Sequence, residues 1–134
     1  MSEPVTTALV STESAAPSDG WDDPGKGRIG WRTLFSKGLT ASEAITCGVA
    51  DLGPGDWLAP HRHAPPEVYY VVEGSGLVTL EGREVAVAAG SAVFIPGLAL
   101  HGIRQTGAAP LKLFYVFAVD AFEDVTYLFP EAGD

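Results

Sequence analysis

The chain alternates apolar and polar residues over short stretches, and glycine or proline separates one stretch from the next. Between Arg28 and Phe35, for example, Ile29, Trp31 and Thr33 share one face of an extended segment. A period of two residues is typical of a strand with one buried face. No segment has the length of a stable helix, so the pattern favours an all-β sandwich or a small closed barrel. The predicted strands lie at residues 28–35, 45–52, 68–73, 77–81, 84–88, 92–95, 101–105, 111–119 and 125–129.

The first part of the chain has a different composition. Residues 1–27 are rich in Ser, Thr, Ala, Pro and Gly, and their acidic residues are balanced only by Lys26. We expect residues 1–27 to form a loose, flexible N-terminal arm, or alternatively an arm that pairs across a dimer. Residues 28–134 are then expected to form a single domain, which their number allows.

The charge balance narrows the class of partner. Eight Lys and Arg residues against 17 Asp and Glu residues give a formal net charge of −9. Without a basic stripe, nucleic acid and anionic membranes are poor partners, and a small-molecule substrate is expected instead. Cys47 is the single cysteine, which suits a reducing compartment. We see no secretory signal and no apolar run of about 18 residues, so a cytoplasmic location is expected.

The three histidines of the chain point to a metal ion. His61 and His63 are one residue apart, Glu67 follows, and His101 lies on a later predicted strand. Side chains two residues apart on a strand share a face, so the first two imidazoles converge, and Glu67 joins them if the intervening prolines preserve the register. Such a donor set suits one divalent transition metal ion: Fe, Mn, Ni, Co, Cu or Zn. The alternative is that these are ordinary surface or core histidines.

The spacing of these residues also resembles a known motif. Gly55, His61, His63, Glu67 and Gly74 follow one another with the intervals of the first motif of the cupin family. The resemblance implies a double-stranded β-helix, which is a small jelly-roll barrel, and it implies that both histidines and the glutamate are metal ligands.

A second motif of the same family is matched with two departures. Gly90, Pro96 and His101 keep the cupin spacing, which implies that His101 is the fourth metal ligand. Leu98 stands where the motif has a glycine, and Gln105 stands where it usually has an asparagine. Neither position is a ligand in cupins, so the departures concern the turn geometry.

A finer resemblance concerns the activity. From about Trp31 to Phe129 the chain is similar to small bacterial cupins that cleave dimethylsulfoniopropionate to acrylate and dimethyl sulfide. The likeness lies in the runs at residues 53–55, 61–67, 73–76 and 95–97 and in the closing segment from Phe122 to Phe129. In that family a tyrosine two residues after the glutamate ligand is the base, and Tyr69 holds this position. Tyr115 matches a second tyrosine on the late core strand.

The resulting hypothesis is a metal-dependent lyase that acts on a small carboxylate by β-elimination. Tyr69 and Tyr115 are its candidate catalytic residues, and ordinary core packing is the alternative for each. Rival functions are a non-heme metal dioxygenase and a non-catalytic small-molecule-binding or sugar-isomerase-type cupin, because all of them need the same four ligands.

The late apolar strand also bears on assembly. Phe114 and Val116 have the opposite parity to Tyr115, so they face away from the expected interior and need cover. We therefore expect a homodimer.

Overall fold

The computed structural model describes residues 3–130 as a protein built almost wholly from strands. Two single-turn 3₁₀ helices lie at Glu13–Ala15 and Phe122–Asp124. The prediction of an all-β fold is therefore confirmed. The strands are β1 (Ser18–Asp23), β2 (Gly27–Phe35), β3 (Thr46–Leu52), β4 (Trp57–His61), β5 (Glu67–Glu73), β6 (Ser75–Leu80), β7 (Arg83–Ala88), β8 (Ala92–Ile95), β9 (His101–Thr106) and β10 (Leu111–Phe117).

All strand pairs are antiparallel and belong to one curled sheet. The strand order is β7-β6-β9-β4-β2-β3-β10-β5-β8, with β1 paired to β2 outside this path. The concave face carries the core, because each strand turns its alternate side chains inward. In β5, Glu67, Tyr69 and Val71 are buried while Val68 and Tyr70 are exposed. The faces of β5 are thus those expected from its alternation.

The N-terminal part differs from the expected loose arm. Residues 18–23 form β1, which pairs with β2 from Ser18 opposite Arg32 to Asp23 opposite Gly27. Arg32 also donates a hydrogen bond from Nη1 to the Ala16 carbonyl at 2.7 Å. The composition concealed this strand because only Trp21 of β1 is turned inward, and its neighbours are acidic. The hairpin formed by β1 and β2 therefore belongs to the folded domain.

The C-terminal part differs from its prediction in another way. Residues 125–129 do not form a strand of the sheet. They keep an extended alternation in which Val125, Tyr127 and Phe129 are more buried than their neighbours. A single backbone bridge joins Arg62 to Leu128, with N···O distances of 2.9 and 2.8 Å. The segment therefore crosses the domain beside β4 without a ladder partner of its own.

None of the helices within residues 3–130 has the length and hydropathy needed to cross a membrane.

Candidate metal centre and adjoining cavity

The four predicted ligands meet at one end of the sheet interior. His61 closes β4 and lies opposite His101, the first residue of β9. His63 follows β4 by two residues, and Glu67 opens β5. β4 and β5 are separate strands, yet the alternation survives the two intervening prolines, and all four side chains are buried. The structure thus brings together the residues that the spacing selected.

Each histidine is oriented by its own backbone neighbourhood. Nδ1 of His61, His63 and His101 donates to the carbonyl oxygens of Ala59, Pro65 and Ala99, at 2.9, 2.8 and 2.9 Å respectively. These bonds fix the tautomer, so each Nε2 carries a lone pair and points away from the backbone. The three candidate ligand nitrogens lie within 4.8 Å of one another.

The carboxylate of Glu67 completes the cluster. Its Oε1 lies 3.1 Å from Nε2 of His63 and 3.3 Å from Nε2 of His101. Nε2 of His61 is a buried polar side-chain atom for which the described residues provide no hydrogen-bond partner. Three lone pairs and a carboxylate therefore converge with no donor among them. A buried group of acceptors of this kind fits a cation, and imidazole with carboxylate suits a divalent transition metal.

The pKa values of His61 and His63 are shifted in opposite directions. Burial, with the nearby His101, lowers the pKa of His61 to about 3, so its imidazole is neutral at physiological pH. Burial also lowers the pKa of His63, but the hydrogen bond and charge of Glu67 outweigh it, and the net shift is upward. A cation at the cluster would thus compete with a proton shared between His63 and Glu67.

Two loop features support the cluster at the positions where the chain departs from the cupin motif. Leu98 has a φ of 66°, a left-handed conformation that glycine adopts more readily, and its N–H donates to the His63 carbonyl at 2.8 Å. Gln105 is buried and accepts a hydrogen bond from the Gly55 N–H at 3.2 Å. Its amide also donates to the Ala109 carbonyl at 2.8 Å. Both departures therefore keep loop contacts around the ligand strands.

A narrow, partly open cavity of about 30 Å³ adjoins the cluster through Glu67. Glu67 and Tyr69 of β5 and Tyr115 of β10 line it. Trp21, Trp31, Phe122 and Tyr127 provide aromatic walls. The sequence analysis did not select these four residues as site residues, although the resemblance pointed to the closing segment.

One residue of the aromatic walls, Tyr127, contacts the histidines directly. The ring of Tyr127 stacks on His61, with centroids 4.8 Å apart and an interplanar angle of 30°. Trp21 meets Tyr127 edge-on at 5.2 Å. Phe129 lies 5.4 Å from His61. The inward residue of β1 and the closing segment thus cover the same end of the cavity.

The two candidate catalytic tyrosines lie opposite each other on adjacent strands. Tyr69 and Tyr115 are register partners, and both are buried. The Tyr115 hydroxyl lies 3.4 Å from Oγ1 of Thr33, whereas no described residue forms a hydrogen bond with the Tyr69 hydroxyl. A Cβ at Gly48 would lie 2.5 Å from the Tyr115 hydroxyl, so a glycine is needed beside this ring.

Both phenols are protonated when no cation is present. Burial, and to a lesser degree the charge of Glu67, raises the pKa of Tyr69 well above its usual value. Burial also raises the pKa of Tyr115 to about 12, although the hydrogen bond with Thr33 opposes this. Glu67 is therefore an electrostatic neighbour of both hydroxyls.

Comparison with known proteins defines the class. Residues 48–117 match the family model described as the cupin domain. The chain belongs to the cupin family, and the predicted double-stranded β-helix is confirmed. Among solved structures, the polyketide cyclase RemF from Streptomyces resistomycificus has a TM-score of 0.78 at 20% identity, over 96% of this chain and 89% of that one.

Two curated relatives give finer likenesses. The chain is 43% identical over 113 residues to dimethylsulfoniopropionate lyase DddW of Ruegeria pomeroyi, covering 84% of this chain and 74% of the relative. It is 30% identical over 93 residues to the oxalate-binding protein of Thermotoga maritima, covering 69% of this chain and 77% of that protein. The resemblance to the bacterial dimethylsulfoniopropionate lyases is thereby confirmed.

Proposed function

We propose that this chain is a metal-dependent lyase that cleaves dimethylsulfoniopropionate to acrylate and dimethyl sulfide. The observation that carries the proposal is the position of Tyr69. Its hydroxyl has no hydrogen-bond partner among the described residues, and it shares the cavity with Glu67, two residues away on the same strand face. The 43% identity to DddW supports this choice of substrate.

The proposed metal ligands are His61, His63, Glu67 and His101. Four acceptors that converge without a donor need a positive partner, and a divalent transition metal ion meets that need. When bound, such an ion supplies positive charge that stabilises the negative charge developing on a substrate carboxylate. Burial is the main cause of the raised pKa of Tyr69 and the Glu67 charge is the second, and a bound ion would offset the second.

Tyr69 is the proposed base. To act as the base, the Tyr69 hydroxyl must first lose its own proton to solvent; the phenolate oxygen then takes the proton from the carbon next to the substrate carboxylate. The electrons of that C–H bond form the double bond of acrylate, the C–S bond breaks, and its electron pair leaves with neutral dimethyl sulfide. A positioned base contributes about 10²- to 10⁴-fold to the rate of such a step.

Tyr115 is proposed to orient the substrate. It faces Tyr69 across one strand pair, and its contact with Thr33 holds the hydroxyl in place. The neighbouring aromatic walls offer π-faces to the sulfonium group, which carries a positive charge. The cavity thus provides a partner for each end of a zwitterionic substrate.

Purified protein tests the proposal directly. The metal-free protein is loaded in turn with Fe(II), Mn(II), Co(II), Ni(II) and Zn(II), incubated anaerobically with dimethylsulfoniopropionate, and assayed for dimethyl sulfide in the headspace and acrylate in solution. Equal amounts of both products are expected with at least one metal. Absence of both products with every metal would refute the lyase. Turnover that requires O₂ would favour a dioxygenase, and binding without turnover would favour a binding protein of the kind that the oxalate-binding relative represents.

We also propose that two copies associate through the convex face of β10, β5 and β8. Val116 lies opposite Val68, and Val68 lies opposite Phe94, so these side chains form a row across three strands. Phe94 is 67% exposed and Tyr70 is 47% exposed, which leaves an apolar surface to cover. Light scattering at micromolar concentration should give twice the chain mass, and Phe94→Lys should give a monomer. A cytoplasmic location stays a prediction.

A further inference from the structure

The partly open cavity is too narrow to enclose the proposed substrate in the conformation described. Its volume is about 30 Å³. An engineered apolar cavity of about 150 Å³ holds benzene, which has six heavy atoms, whereas dimethylsulfoniopropionate has more. Any ligand of this size therefore needs a wall of the cavity to move.

The wall that can move is aromatic. Of the twelve residues that line the cavity, eight are buried strand residues, and the four that are half-buried are Trp21, Trp31, Phe122 and Tyr127. Strand residues are held on both sides by ladder hydrogen bonds, so their displacement would break the sheet. The four half-buried aromatic rings are the part of the lining nearest to solvent.

A second, outer cleft identifies the pair involved. This cleft has a volume of about 350 Å³, and its lining includes Asp19, Thr33, Leu39 and Glu123. Trp31 and Phe122 line both the outer cleft and the inner cavity. Their rings are stacked, with centroids 5.9 Å apart and an interplanar angle of 12°. This stacked pair is thus the partition between the two spaces.

Of the two rings, Phe122 is the one that lies on a short 3₁₀ turn and not on a paired strand. The backbone of Trp31 is paired on both sides, with Asp19 of β1 and Ala50 of β3. The Phe122 N–H donates to Ser36 Oγ at 2.9 Å, and its carbonyl accepts from the Val125 N–H at 2.9 Å. These bonds hold the Phe122 backbone, so opening is a change of side-chain rotamer in which the ring leaves its contacts with Tyr115, Phe117 and Tyr127.

We propose that Trp31 and Phe122 form the substrate gate, and that the outer cleft is the vestibule from which a small cationic or zwitterionic molecule enters. The carboxylates of Asp19 and Glu123 beside the gate favour the approach of the positively charged end. The inference rests on the proposed function only in taking the cavity as the substrate site.

Labelling of a thiol placed behind the gate tests this without metal or turnover. Ala50 lines the inner cavity, so Ala50→Cys is made together with Cys47→Ser, which removes the native thiol. The rate of alkylation by iodoacetamide is then measured in the metal-free protein by mass spectrometry. Adding Phe122→Ala should accelerate alkylation by about tenfold or more, because the thiol no longer waits for a local opening.

Two further variants make the result specific. Leu39→Trp fills the vestibule from an exposed position, so it should keep the fold and slow alkylation several-fold. Trp57→Ala removes a half-buried aromatic ring that lines neither space, and it should leave the rate unchanged. A thiol that stays equally unreactive with Phe122→Ala would overturn the gate, as would acceleration by Trp57→Ala alone. If Phe122→Ala fails to fold, an unchanged rate with Leu39→Trp overturns it.

The gate and the lyase can fail separately. Faster alkylation with Phe122→Ala in a protein that forms no acrylate would leave the gate standing and remove the lyase. Acrylate formation with unchanged alkylation rates would do the opposite.

Discussion

The floor of the cavity and its outer wall are built by different means. By floor we mean the ligand cluster that the cavity reaches through Glu67; it carries His61, His101 and Glu67 on strands, and backbone carbonyls orient the imidazoles. The wall consists of aromatic rings from the N-terminal hairpin and the closing segment, which hold one another by ring contacts such as Trp21 against Tyr127. The floor is thus suited to holding charge in a fixed geometry, and the wall to adjusting shape and access.

Removing a floor carboxylate should have the largest effect. Glu67→Ala takes away one of four proposed ligands, and we expect metal content to fall from about one ion per chain to near zero and dimethyl sulfide formation to disappear. Elemental analysis after gel filtration measures the first, and headspace analysis the second. Glu73→Ala, on the same strand but exposed, is the matched control. Full metal content in Glu67→Ala would contradict the ligand assignment.

The next largest effect should distinguish metal binding from catalysis. Tyr69→Phe keeps the ring and removes the proposed base, so kcat should fall by about 10²- to 10⁴-fold while metal content stays unchanged. Tyr70→Phe alters the adjacent residue, which faces outward, and should behave as the unaltered protein. If Tyr69→Phe retained full activity, the base would have to be sought elsewhere.

The histidines of the floor should also determine how the stability of the metal-free protein depends on pH. The pKa of His61 is 6.5 in the unfolded chain and about 3 in the folded one, so between these values the unfolded state binds the extra proton. The free energy of unfolding should therefore fall as pH drops from 6.5 towards 3. His63, with its raised pKa, acts in the opposite direction, since its contribution is lost as pH rises.

A variant isolates the His61 contribution. Urea titrations of the chelator-treated protein and of His61→Leu, each at several pH values, should show a weaker acid dependence in His61→Leu. Parallel curves would mean that His61 is not the group that resists protonation.

Removing a ring from the wall should have a smaller effect, which concerns stability and KM and not metal binding. Trp21→Ala removes a half-buried ring with three aromatic neighbours, and we expect a loss of about 1–3 kcal/mol in unfolding free energy, less than for a fully buried aromatic. Metal content should be unchanged, whereas KM should change. Trp57→Ala is the control, because Trp57 is also half-buried and lies outside the cavity lining. Loss of metal from Trp21→Ala would show that wall and floor are not separate.

The smallest expected effect is a gain in stability. Leu98 adopts a φ of 66°, which costs a non-glycine residue roughly 1 kcal/mol. In Leu98→Gly this strain is relieved, and the gain offsets the backbone entropy that a glycine loses on folding. The free energy of unfolding should therefore stay equal or rise by up to about 1 kcal/mol. Thermal denaturation measures this, and a clear decrease in stability would mean that the Leu98 side chain contributes packing of its own.

The contrast between floor and wall also explains how much of the site could be predicted from the sequence. The positions of His61, His63 and Glu67 follow from local spacing and strand alternation, which the sequence displays directly. Trp21 could not be assigned in this way, because its strand is acidic and its inward position depends on pairing with β2. At residues 125–129 the alternation predicted a strand, but it could not show that the segment lacks a ladder partner.

The division of the cavity between early and late parts of the chain has a consequence for synthesis on the ribosome. The floor residues are all made once His101 has been added, whereas the closing segment with Tyr127 and Phe129 emerges afterwards. Chains are made from the N-terminus, and native contacts can form only among residues already released. A nascent chain thus contains all four proposed ligands before Tyr127 and Phe129 have been added, so the aromatic cover is the last part of the site that can form.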